Sequence, residues 1–468
     1  MFLQNSKDLD NNIKTKKSFE QRWRSSFCKA LLFWTVSAGL GIGTSEVFAQ
    51  DGIVDKGDAV VAGFSGSQPP VDYDSIPENQ TEIDETFINP DEASLKVFDV
   101  SGPGFSLDAS VYPAPVRFEA PASEIGQVFG VALDDASNPN IYVTATSAYG
   151  LHIVGPDSDG DGRPERLLFG QDDALWMEGL FGETNGGSPG SVWRIDGITG
   201  EVSLFADITH NGLPNSGPGL GTITFDARHQ QFFVSDLDTG VIHRLDMNGN
   251  ELSTYDHGEV GLGLAGLAIV PLDEADITDI TSPDFSAEDP DTWGFAAPDR
   301  RVWALVKRGK RLFYSVWGQN QIWSIRIKKN GDFGNDPRLE LDLELGPKNY
   351  PVSDIVFSGS GAMVIAQRGA HLPSYDFASF ANGAENKVMR FWREKPDDPI
   401  TPGRWKPVGE DYAIGFAEQF DKTNGGIDLG YGYDKNGRID YNQCRKLLWA
   451  SGDALRDNPN YVDFLSNG

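Results

Sequence analysis

Cysteine is nearly absent from this 468-residue sequence, and histidine is scarce. Of the two cysteines, Cys28 lies in an N-terminal leader-like segment and Cys444 is alone in the remainder, which excludes an intramolecular disulfide framework there. The six histidines form no His-x-x-x-His or His-Glu-x-x-His motif. Zinc chemistry and a cysteine nucleophile therefore have no support in the sequence.

Basic residues are also few, since 39 Lys and Arg stand against 69 Asp and Glu, a formal net charge of −30. Without residues 1–49, which carry 7 basic and 4 acidic side chains, the net charge becomes −33. A field of this sign repels nucleic acid and anionic lipid, and it keeps a protein soluble or attracts divalent cations. We therefore expect no nucleic-acid partner.

Only a short segment is a candidate for a membrane span. Residues 30–45 are uncharged, follow a basic stretch, and are shorter than the roughly 20 residues that cross a bilayer. Val47-Phe48-Ala49 then places small residues at the positions that signal peptidase recognises. We predict a signal peptide over residues 1–49, cleaved after Ala49, in preference to a membrane anchor. The mature protein is then exported to the periplasm, cell surface or extracellular space, with no stable membrane span.

Beyond the leader the sequence changes character twice. Residues 50–94 are acidic and contain few apolar clusters, so we expect a mostly extended lead-in with one strand near residues 59–64. Residues 95–468 consist of short apolar stretches separated by Gly, Asp and Asn turns, and the chain holds 53 glycines and 27 prolines. This composition predicts one all-β domain.

A strand-turn-strand unit recurs in this domain, at residues 127–146, 219–236, 302–316 and 352–366. The second and third copies continue through further hairpin signals into a third and fourth strand, and residues 190–205 complete the first. Four-stranded units of about 40 to 50 residues predict the blades of a β-propeller, in preference to a β-sandwich. Four blades are expected, with a fifth suspected at residues 425–449. Because a closed ring generally has more, the chain is expected to be part of a longer protein.

Two stretches, GVALD…IYVTAT and GTITFD…FFVSDLDTGVIHRLDMNGNEL, resemble repeats of the NHL, YVTN and streptogramin-lyase-like propeller superfamily. The resemblance covers roughly residues 125–395, and its motifs are architectural. It implies the propeller fold and specifies no reaction.

The sharpest chemical motif is D-S-D-G-D-G-R-P-E at residues 157–165. This pattern is typical of a calcium-binding loop, in which hard oxygen ligands converge on one ion. Its acids stand at positions 1, 3, 5 and 9, and the glycine at position 6 allows the chain to reverse direction. The motif resembles the hairpin calcium loop of FG-GAP propeller repeats, with Glu where the last Asp stands. The predicted ligands are Asp157, Asp159, Asp161, Glu165 and the backbone carbonyl of Arg163. A solvated acidic turn is the alternative, and for the similar but degraded stretch 434–440 a plain hairpin is favoured.

No complete catalytic constellation is present, so the sequence leaves open whether the protein is an enzyme. The first hypothesis is a non-catalytic, calcium-stabilised propeller that binds a protein, glycan or other component of the cell envelope. The rival, suggested by related propeller families, is a metal-dependent hydrolase or lyase of lactonase type. Its acids would come from the first strands of several blades, with Asp134, Asp226 and Asp354 as candidates. A third hypothesis is that the chain is the N-terminal portion of a larger surface protein, with the propeller as its display module.

Other candidate groups have structural interpretations. Asp256-His257 and Ser235-Asp236 resemble fragments of an acid-base site but more often cap turns, and the Gly-rich stretch 176–190 is expected to be a flexible loop over one face. Four tryptophans at strand period are expected to pack between blades: Trp193, Trp303, Trp317 and Trp323. Four others are candidates for exposed rings that stack on sugars: Trp176, Trp293, Trp392 and Trp405.

Overall fold

The structure is a computed structural model, and it describes residues 52–71, 73–76, 78, 80–103, 113–158, 160–273, 277–318, 320–343, 350–369, 371–377, 386–395, 402–412 and 423–452. The predicted leader and its cleavage position lie outside these residues, and so does Asp159. In the described part nearly all of the regular secondary structure is β-strand, and no helix there has the length and apolarity needed to span a bilayer.

The described part begins with a three-stranded sheet, here called the N-terminal sheet, of β1 (Asp58–Ala62), β4 (Ala93–Asp99) and β5 (Val116–Pro121), with β4 in the centre. Between β1 and β4 the chain forms a 3-10 turn at Tyr73–Ser75 and a separate two-stranded sheet of β2 (Ser67–Gln68) and β3 (Phe87–Ile88). Strand β1 overlaps the expected strand at residues 59–64 and pairs antiparallel with β4. Part of the segment 50–94 is therefore built into a sheet. A short helix, α1 (Ala122–Ile125), leads to the next strand.

Four four-stranded antiparallel sheets follow, here called sheets I to IV. Sheet I contains β6 (Val128–Leu133), β7 (Ile141–Ala145), β11 (Ser191–Ile195) and β12 (Val202–Asp207). An insertion between β7 and β11 forms a small sheet of β8 (Ile153–Val154), β9 (Arg166–Leu167) and β10 (Leu175–Trp176), followed by a 3-10 turn at Glu183–Asn185. After sheet I the chain makes a hairpin of β13 (Thr209–His210) and β14 (Leu213–Pro214).

Sheets II, III and IV each take their four strands in chain order. Sheet II has β15 (Leu220–Asp226), β16 (Gln231–Asp236), β17 (Val241–Asp246) and β18 (Glu251–Asp256). A π-helical turn (His257–Gly261), α2 (Leu262–Leu264) and a 3-10 turn (Pro290–Thr292) precede sheet III. Sheet III has β19 (Val302–Arg308), β20 (Arg311–Val316), β21 (Gln321–Arg326) and β22 (Arg338–Asp342). Sheet IV has β23 (Val352–Phe357), β24 (Met363–Gln367), β25 (Val388–Lys395) and β26 (Arg404–Tyr412).

A two-stranded C-terminal sheet completes the described chain. It pairs β27 (Thr423–Gly430) with β30 (Leu447–Gly452), and a hairpin of β28 (Gly432–Tyr433) and β29 (Ile439–Asp440) lies between them. The four predicted four-stranded units are thus present, and the suspected fifth unit contains at least this strand pair.

The core lies between the faces of neighbouring sheets. The first strands of sheets I, II, III, IV and the C-terminal sheet contact one another in that order, and β1 contacts the first strand of sheet I. Separate clusters of buried side chains fill each gap; one between sheets II and III includes Phe233, Val302 and Trp323. Sheets stacked through successive first strands, each with a polar outer strand, are the arrangement of propeller blades.

A β-bulge interrupts the pairing near the start of every one of these five first strands. In sheets I to IV a hydroxyl group joins the bulged region to the next sheet. Thr144 on β7 donates to Gly221 O (3.0 Å), Ser235 on β16 to Trp303 O (2.6 Å), and Ser315 on β20 to Val352 O (2.7 Å). Each of these three hydroxyl groups belongs to the second-strand residue that the bulge leaves unpaired.

In sheet IV the hydroxyl group comes from the first strand instead of the second. Ala366 occupies the second-strand position and offers no hydroxyl, but Ser353 in the bulge itself donates to Gly425 O at 2.9 Å. Two of the four acceptor residues are glycines, Gly221 and Gly425, and at both the neighbouring chain approaches closely. A Cβ on Gly221 would collide with Ser235 Oγ and Trp303 O, and a Cβ on Gly425 would collide with Ser353 Oγ.

We expect Ser235→Ala to lower the free energy of unfolding by about 1–3 kcal/mol, because the buried Ser235 hydroxyl bonds Trp303 O and also accepts from Thr222 N at 2.9 Å. Urea unfolding followed by tryptophan fluorescence measures the loss. Ser203→Ala is the matched control, since that exposed hydroxyl makes only a 3.3 Å bond to Arg194 O and should cost less than about 0.5 kcal/mol. Equal losses in both variants would contradict the role given to the bulge.

Candidate functional site

The long connections of the sheets gather at one end, here called the upper end, where the first strands begin. In an antiparallel four-stranded sheet the connection after the second strand and the exit from the fourth leave from the same end. Four distant segments meet there in one buried cluster, the cap cluster. Its members are Phe87, Ile88, Ala145, Leu151, Ile153, Val154, Ala174, Met177, Leu180, Phe181, Phe285, Ala287, Trp293 and Phe377.

The stretch 176–190 belongs to this cap, and the prediction of a flexible loop was wrong. Met177, Leu180 and Phe181 are buried, and the Glu183 carboxylate accepts from the backbone N–H groups of Gly179 (2.9 Å) and Phe181 (3.0 Å). Apolar side chains between the glycines anchor the segment, so its glycines serve tight turns. The upper end is consequently covered by packed side chains.

A buried arginine ties the cap together. Arg166 donates to the backbone oxygens of Ile83 (2.6 Å), Thr86 (3.1 Å) and Tyr375, and its guanidinium lies over the Tyr375 ring at 4.1 Å. Burial lowers the pKa of Arg166 to about 10, so the side chain stays charged at neutral pH. This residue joins the N-terminal segment, the insertion of sheet I and the β24–β25 connection.

Three histidines near the upper end are held neutral. His152 accepts from Arg166 Nη2 at 3.2 Å, His257 Nδ1 lies 3.0 Å from Tyr314 Oη, and His371 donates from Nε2 to Ser147 O at 2.9 Å. Desolvation, with the nearby arginine charges, lowers the pKa of His152 well below its usual value and lowers those of His257 and His371 to about 3. Neutral imidazoles bonded to these partners are structural in character.

The two predicted acid-base fragments are used inside the fold. Asp256 pairs with the buried Arg300 at 2.8 Å and does not bond its neighbour His257. Asp236 accepts from Asn215 Nδ2 (2.7 Å) and Thr239 Oγ1 (2.6 Å), while the adjacent Ser235 bonds Trp303 O.

His243 is the exception among the buried histidines, because carboxylates flank it. Its Nδ1 lies 2.6 Å from Glu251 Oε2 and its Nε2 lies 3.7 Å from Asp236 Oδ2. Burial alone would lower the pKa of His243, but the nearby Asp236 carboxylate, together with the hydrogen bond and charge of Glu251, outweighs it and raises the pKa to about 9. The imidazolium is therefore an internal cross-link between β17 and its neighbours.

The His243 pKa has a consequence for stability. A folded-state pKa of about 9 above the ordinary 6.5 means that this group's contribution is fully present below pH 6.5 and is lost as the pH rises through 9. We expect the wild type to lose on the order of 3 kcal/mol more than His243→Gln between pH 6 and pH 10. Urea unfolding at both pH values measures the difference. Parallel pH profiles for the two proteins would contradict this assignment.

The first-strand acids proposed for the rival enzyme each have local partners. Asp134 closes a turn by accepting from Asn140 N (3.0 Å) and Nδ2 (2.6 Å). Asp226 contacts His229 Nδ1 (2.7 Å) and Lys307 Nζ (3.5 Å).

Asp354 differs from these two acids because it lies at the boundary between sheet IV and the C-terminal sheet. Its carboxylate accepts from Ile355 N (2.7 Å) and, across to β27, from Ile427 N (2.9 Å). Burial and the nearby Asp428 charge raise the pKa of Asp354 to about 7. Over the part of the chain that the structure describes, no three or more His, Cys, Asp or Glu side chains are grouped as metal ligands would be.

The acidic loop at residues 157–165 forms the β8–β9 hairpin. Asp157 accepts from Gly160 N (2.6 Å) and Gly162 N (3.0 Å), so the backbone winds around its carboxylate, and both glycines have positive φ. Asp161 accepts from Arg163 N at 2.8 Å. The Arg163 guanidinium lies 5.4 Å from the Phe87 ring centre, which ties the hairpin to the N-terminal segment.

The donor set of this loop fits calcium chemically. Asp157, Asp161 and Glu165 supply only oxygen, and each carboxylate keeps lone pairs beyond the hydrogen bonds it accepts. The fourth predicted acid, Asp159, is outside the described residues. In the stretch 434–440, by contrast, Asp434 accepts from Asn436 N (2.8 Å) and Arg438 N (3.0 Å) within the β28–β29 hairpin, as a plain turn does.

The tryptophans divide differently from prediction. Trp193, Trp303 and Trp323 are buried, which confirms their packing role. The prediction of exposed, sugar-stacking rings was wrong for Trp293 and Trp405, whose indole N–H groups find partners inside: Ser286 O at 2.9 Å and Glu340 Oε2 at 3.2 Å. Of the other two, Trp392 is 37% exposed and Trp176 is half-buried against Phe181.

Sequence reasoning missed the buried arginines that organise the upper end, above all Arg166 and Arg300. The sequence does contain a signal for Arg300. Residues 245–299 contain no Lys or Arg, so Arg300 is the first cation after a long acidic stretch and has many carboxylates and carbonyl groups available as hydrogen-bond acceptors.

No protein-family model matches the chain, and no curated protein does. Solved structures that it resembles are of propeller type. Virginiamycin B lyase from Staphylococcus aureus is 10% identical, with 75% of this chain and 89% of that chain covered and a TM-score of 0.28. The Dos1 propeller is 11% identical, with 61% and 50% covered and a TM-score of 0.30. Regucalcin from Agrobacterium tumefaciens, a calcium-binding protein, is 12% identical, with 58% and 72% covered and a TM-score of 0.28. At these values the likenesses carry no information about what this chain binds or does.

Proposed function

We propose that the protein is an exported, calcium-stabilised β-propeller that binds a protein or glycan of the cell envelope without catalysing a reaction. The observation that carries this proposal is the state of the candidate catalytic groups. Three histidines near the upper end are neutral and enclosed, and the candidate acids, wherever they lie on their strands, are bonded to backbone, Asn, Arg or Lys groups of the fold. The acid-base pairs that a hydrolase or lyase would need are not formed by these groups.

We also propose that the two terminal sheets close the ring. Ile439 N donates to Ser101 O at 2.8 Å, and Tyr441 Oη donates to Lys56 O at 3.0 Å. The Lys56 ammonium lies over the Tyr441 ring at 5.0 Å. These contacts join the C-terminal hairpin to the N-terminal sheet, so residues of the predicted lead-in would belong to the propeller.

The calcium part of the proposal assigns Asp157, Asp159, Asp161, Glu165 and the Arg163 carbonyl as ligands of one structural ion. Without a cation the carboxylates crowded into this nine-residue hairpin repel one another. The ion would stiffen the hairpin and its contact with Phe87, and so stabilise the cap.

Calorimetric titration of residues 50–468 with calcium tests this assignment, with melting temperature as the second readout. At a calcium concentration about 100 times its dissociation constant we expect about 2.7 kcal/mol of stabilisation and a rise of a few degrees in melting temperature. Asp157→Asn combined with Asp161→Asn should remove the effect, and Asp434→Asn should retain it. Absence of both heat and an EDTA effect in the wild type would exclude the site.

The same proteins test the binding function. Immobilised residues 50–468 should retain a component of envelope extracts in calcium, and the Asp157→Asn/Asp161→Asn variant should retain less. Recovery of nothing in calcium or EDTA would count against a binding module. Turnover of lactone substrates by the wild type, lost in Asp354→Asn, would favour the enzyme instead.

A further inference from the structure

A second surface feature lies in the connection from sheet II to sheet III. Residues 257–273, here called the apolar loop, place large aliphatic side chains in solvent: Val260 (48% exposed), Leu264 (50%), Leu267 (52%) and Ile269 (56%). These four residues fall within ten positions of the chain, beside exposed Ala265, Ala268 and Pro271. Exposed apolar groups concentrated in this way mark interaction sites on soluble proteins.

The apolar loop is fixed in place by its own hydrogen bonds. Asp256 accepts from Glu259 N at 3.0 Å and begins the helical turn, and Leu267 N donates back to Leu262 O at 2.9 Å. Gly266 supplies the left-handed conformation that this reversal needs, with φ of +75°. Leu262 is buried in the cluster between sheets II and III, which anchors the loop to the core.

A fully buried arginine clamps the two ends of the loop. Arg300 donates to Asp256 Oδ2 (2.8 Å) at the beginning and to Val270 O (2.9 Å) at the end, and its Nε donates to Thr239 O (2.9 Å) in sheet II. Val270 N also bonds Gly258 O at 3.0 Å. A clamp of three donors in one rigid guanidinium holds the aliphatic side chains outward, so the surface is preorganised for binding.

The surroundings of the loop define the charge of its partner. Residues 245–299 contain 13 acidic side chains and no Lys or Arg, and Glu259, Asp273 and Asp279 are exposed. An anionic membrane would repel this rim, and a second copy of the chain would carry the same charge. A partner with basic residues around an apolar groove is complementary to it.

We propose that the apolar loop is a docking surface, and that its occupant is a protein whose apolar groove or helix face is bordered by Lys or Arg. The inference rests on the proposed binding function, for which it supplies a surface and the chemistry of the partner. Val260, Leu264, Leu267 and Ile269 would enter the partner, and Glu259 and Asp273 would meet its basic border.

A synthetic amphipathic helix with a leucine face and lysine flanks serves as the probe, measured by fluorescence anisotropy on residues 50–468. We expect Leu264→Gln combined with Leu267→Gln to weaken its binding at least tenfold. The control, Leu204→Gln combined with Leu252→Gln, changes two exposed leucines on outer strands (44% and 47%) and should bind as the wild type does. None of these substitutions alters the charge, so non-specific attraction between probe and protein is constant.

Equal affinity of the probe for both variants would overturn the proposal. Two other results would also overturn it. If the wild type and the control variant floated with phosphatidylcholine vesicles and the loop variant did not, the occupant would be a membrane. If the wild type and the control variant sedimented as dimers and the loop variant did not, the occupant would be a second copy of the chain. A version of the probe with glutamate flanks should bind at least tenfold more weakly to the wild type. Since the probe is synthetic, this outcome is read independently of the envelope pull-down, which tests the binding function itself.

Discussion

The architecture depends on a hydroxyl group at one repeated position, where the second strand of a sheet faces the bulged first strand of the next. Thr144, Ser235 and Ser315 occupy that position in sheets I to III, and each donates to a backbone oxygen of the neighbouring sheet. A bulge exposes backbone groups that the ladder no longer satisfies, and burial makes an unsatisfied group costly. The hydroxyl removes that cost and fixes the spacing between sheets. Glycine at two of the four acceptor positions, Gly221 and Gly425, follows from the close approach of the chains there.

This spacing determines what can be built at the upper end. Because the sheets are held side by side in a constant orientation, their long connections emerge together and share one apolar cluster. Two buried arginines then hold irregular segments that lie outside the sheets. Arg166 joins three segments of the cap, and Arg300 joins the two ends of the apolar loop. Charged hydrogen bonds to backbone oxygens suit this task, since irregular segments present many carbonyls without ladder partners.

Much of the sheet structure could be predicted because it is local. The stretches that give sheets II and III alternate apolar and polar residues around Gly and Asn turns, so strand order and pairing followed from neighbours in sequence. The hydroxyl position was visible too, as the Ser or Thr in IYVTA, FFVSD and LFYSV, but its meaning depends on a partner in the next sheet that is 77, 68 and 37 residues away, respectively.

The cap and the roles of single residues were less accessible. Trp293 is buried because Ser286 accepts its N–H and segments more than 100 residues apart close over it, and nothing near it in the sequence shows this. The place of Asp354 on a first strand makes it a candidate catalytic acid in the sequence, and the structure shows its carboxylate accepting from Ile427 N across a sheet boundary. Periodicity identifies the strand; it does not identify which neighbour a side chain meets.

The central claim is that the hydroxyl bonds make the sheets one cooperative scaffold on which the cap and the apolar loop are carried. Native-state hydrogen exchange of residues 50–468, followed by mass spectrometry, tests it most directly. Peptides that cover β6, β15, β19 and β23 should exchange together, at the rate of global unfolding, while peptides from exposed turns exchange earlier. If one first strand exchanged within seconds while the others stayed protected, the sheets would be independent units and the account would be contradicted.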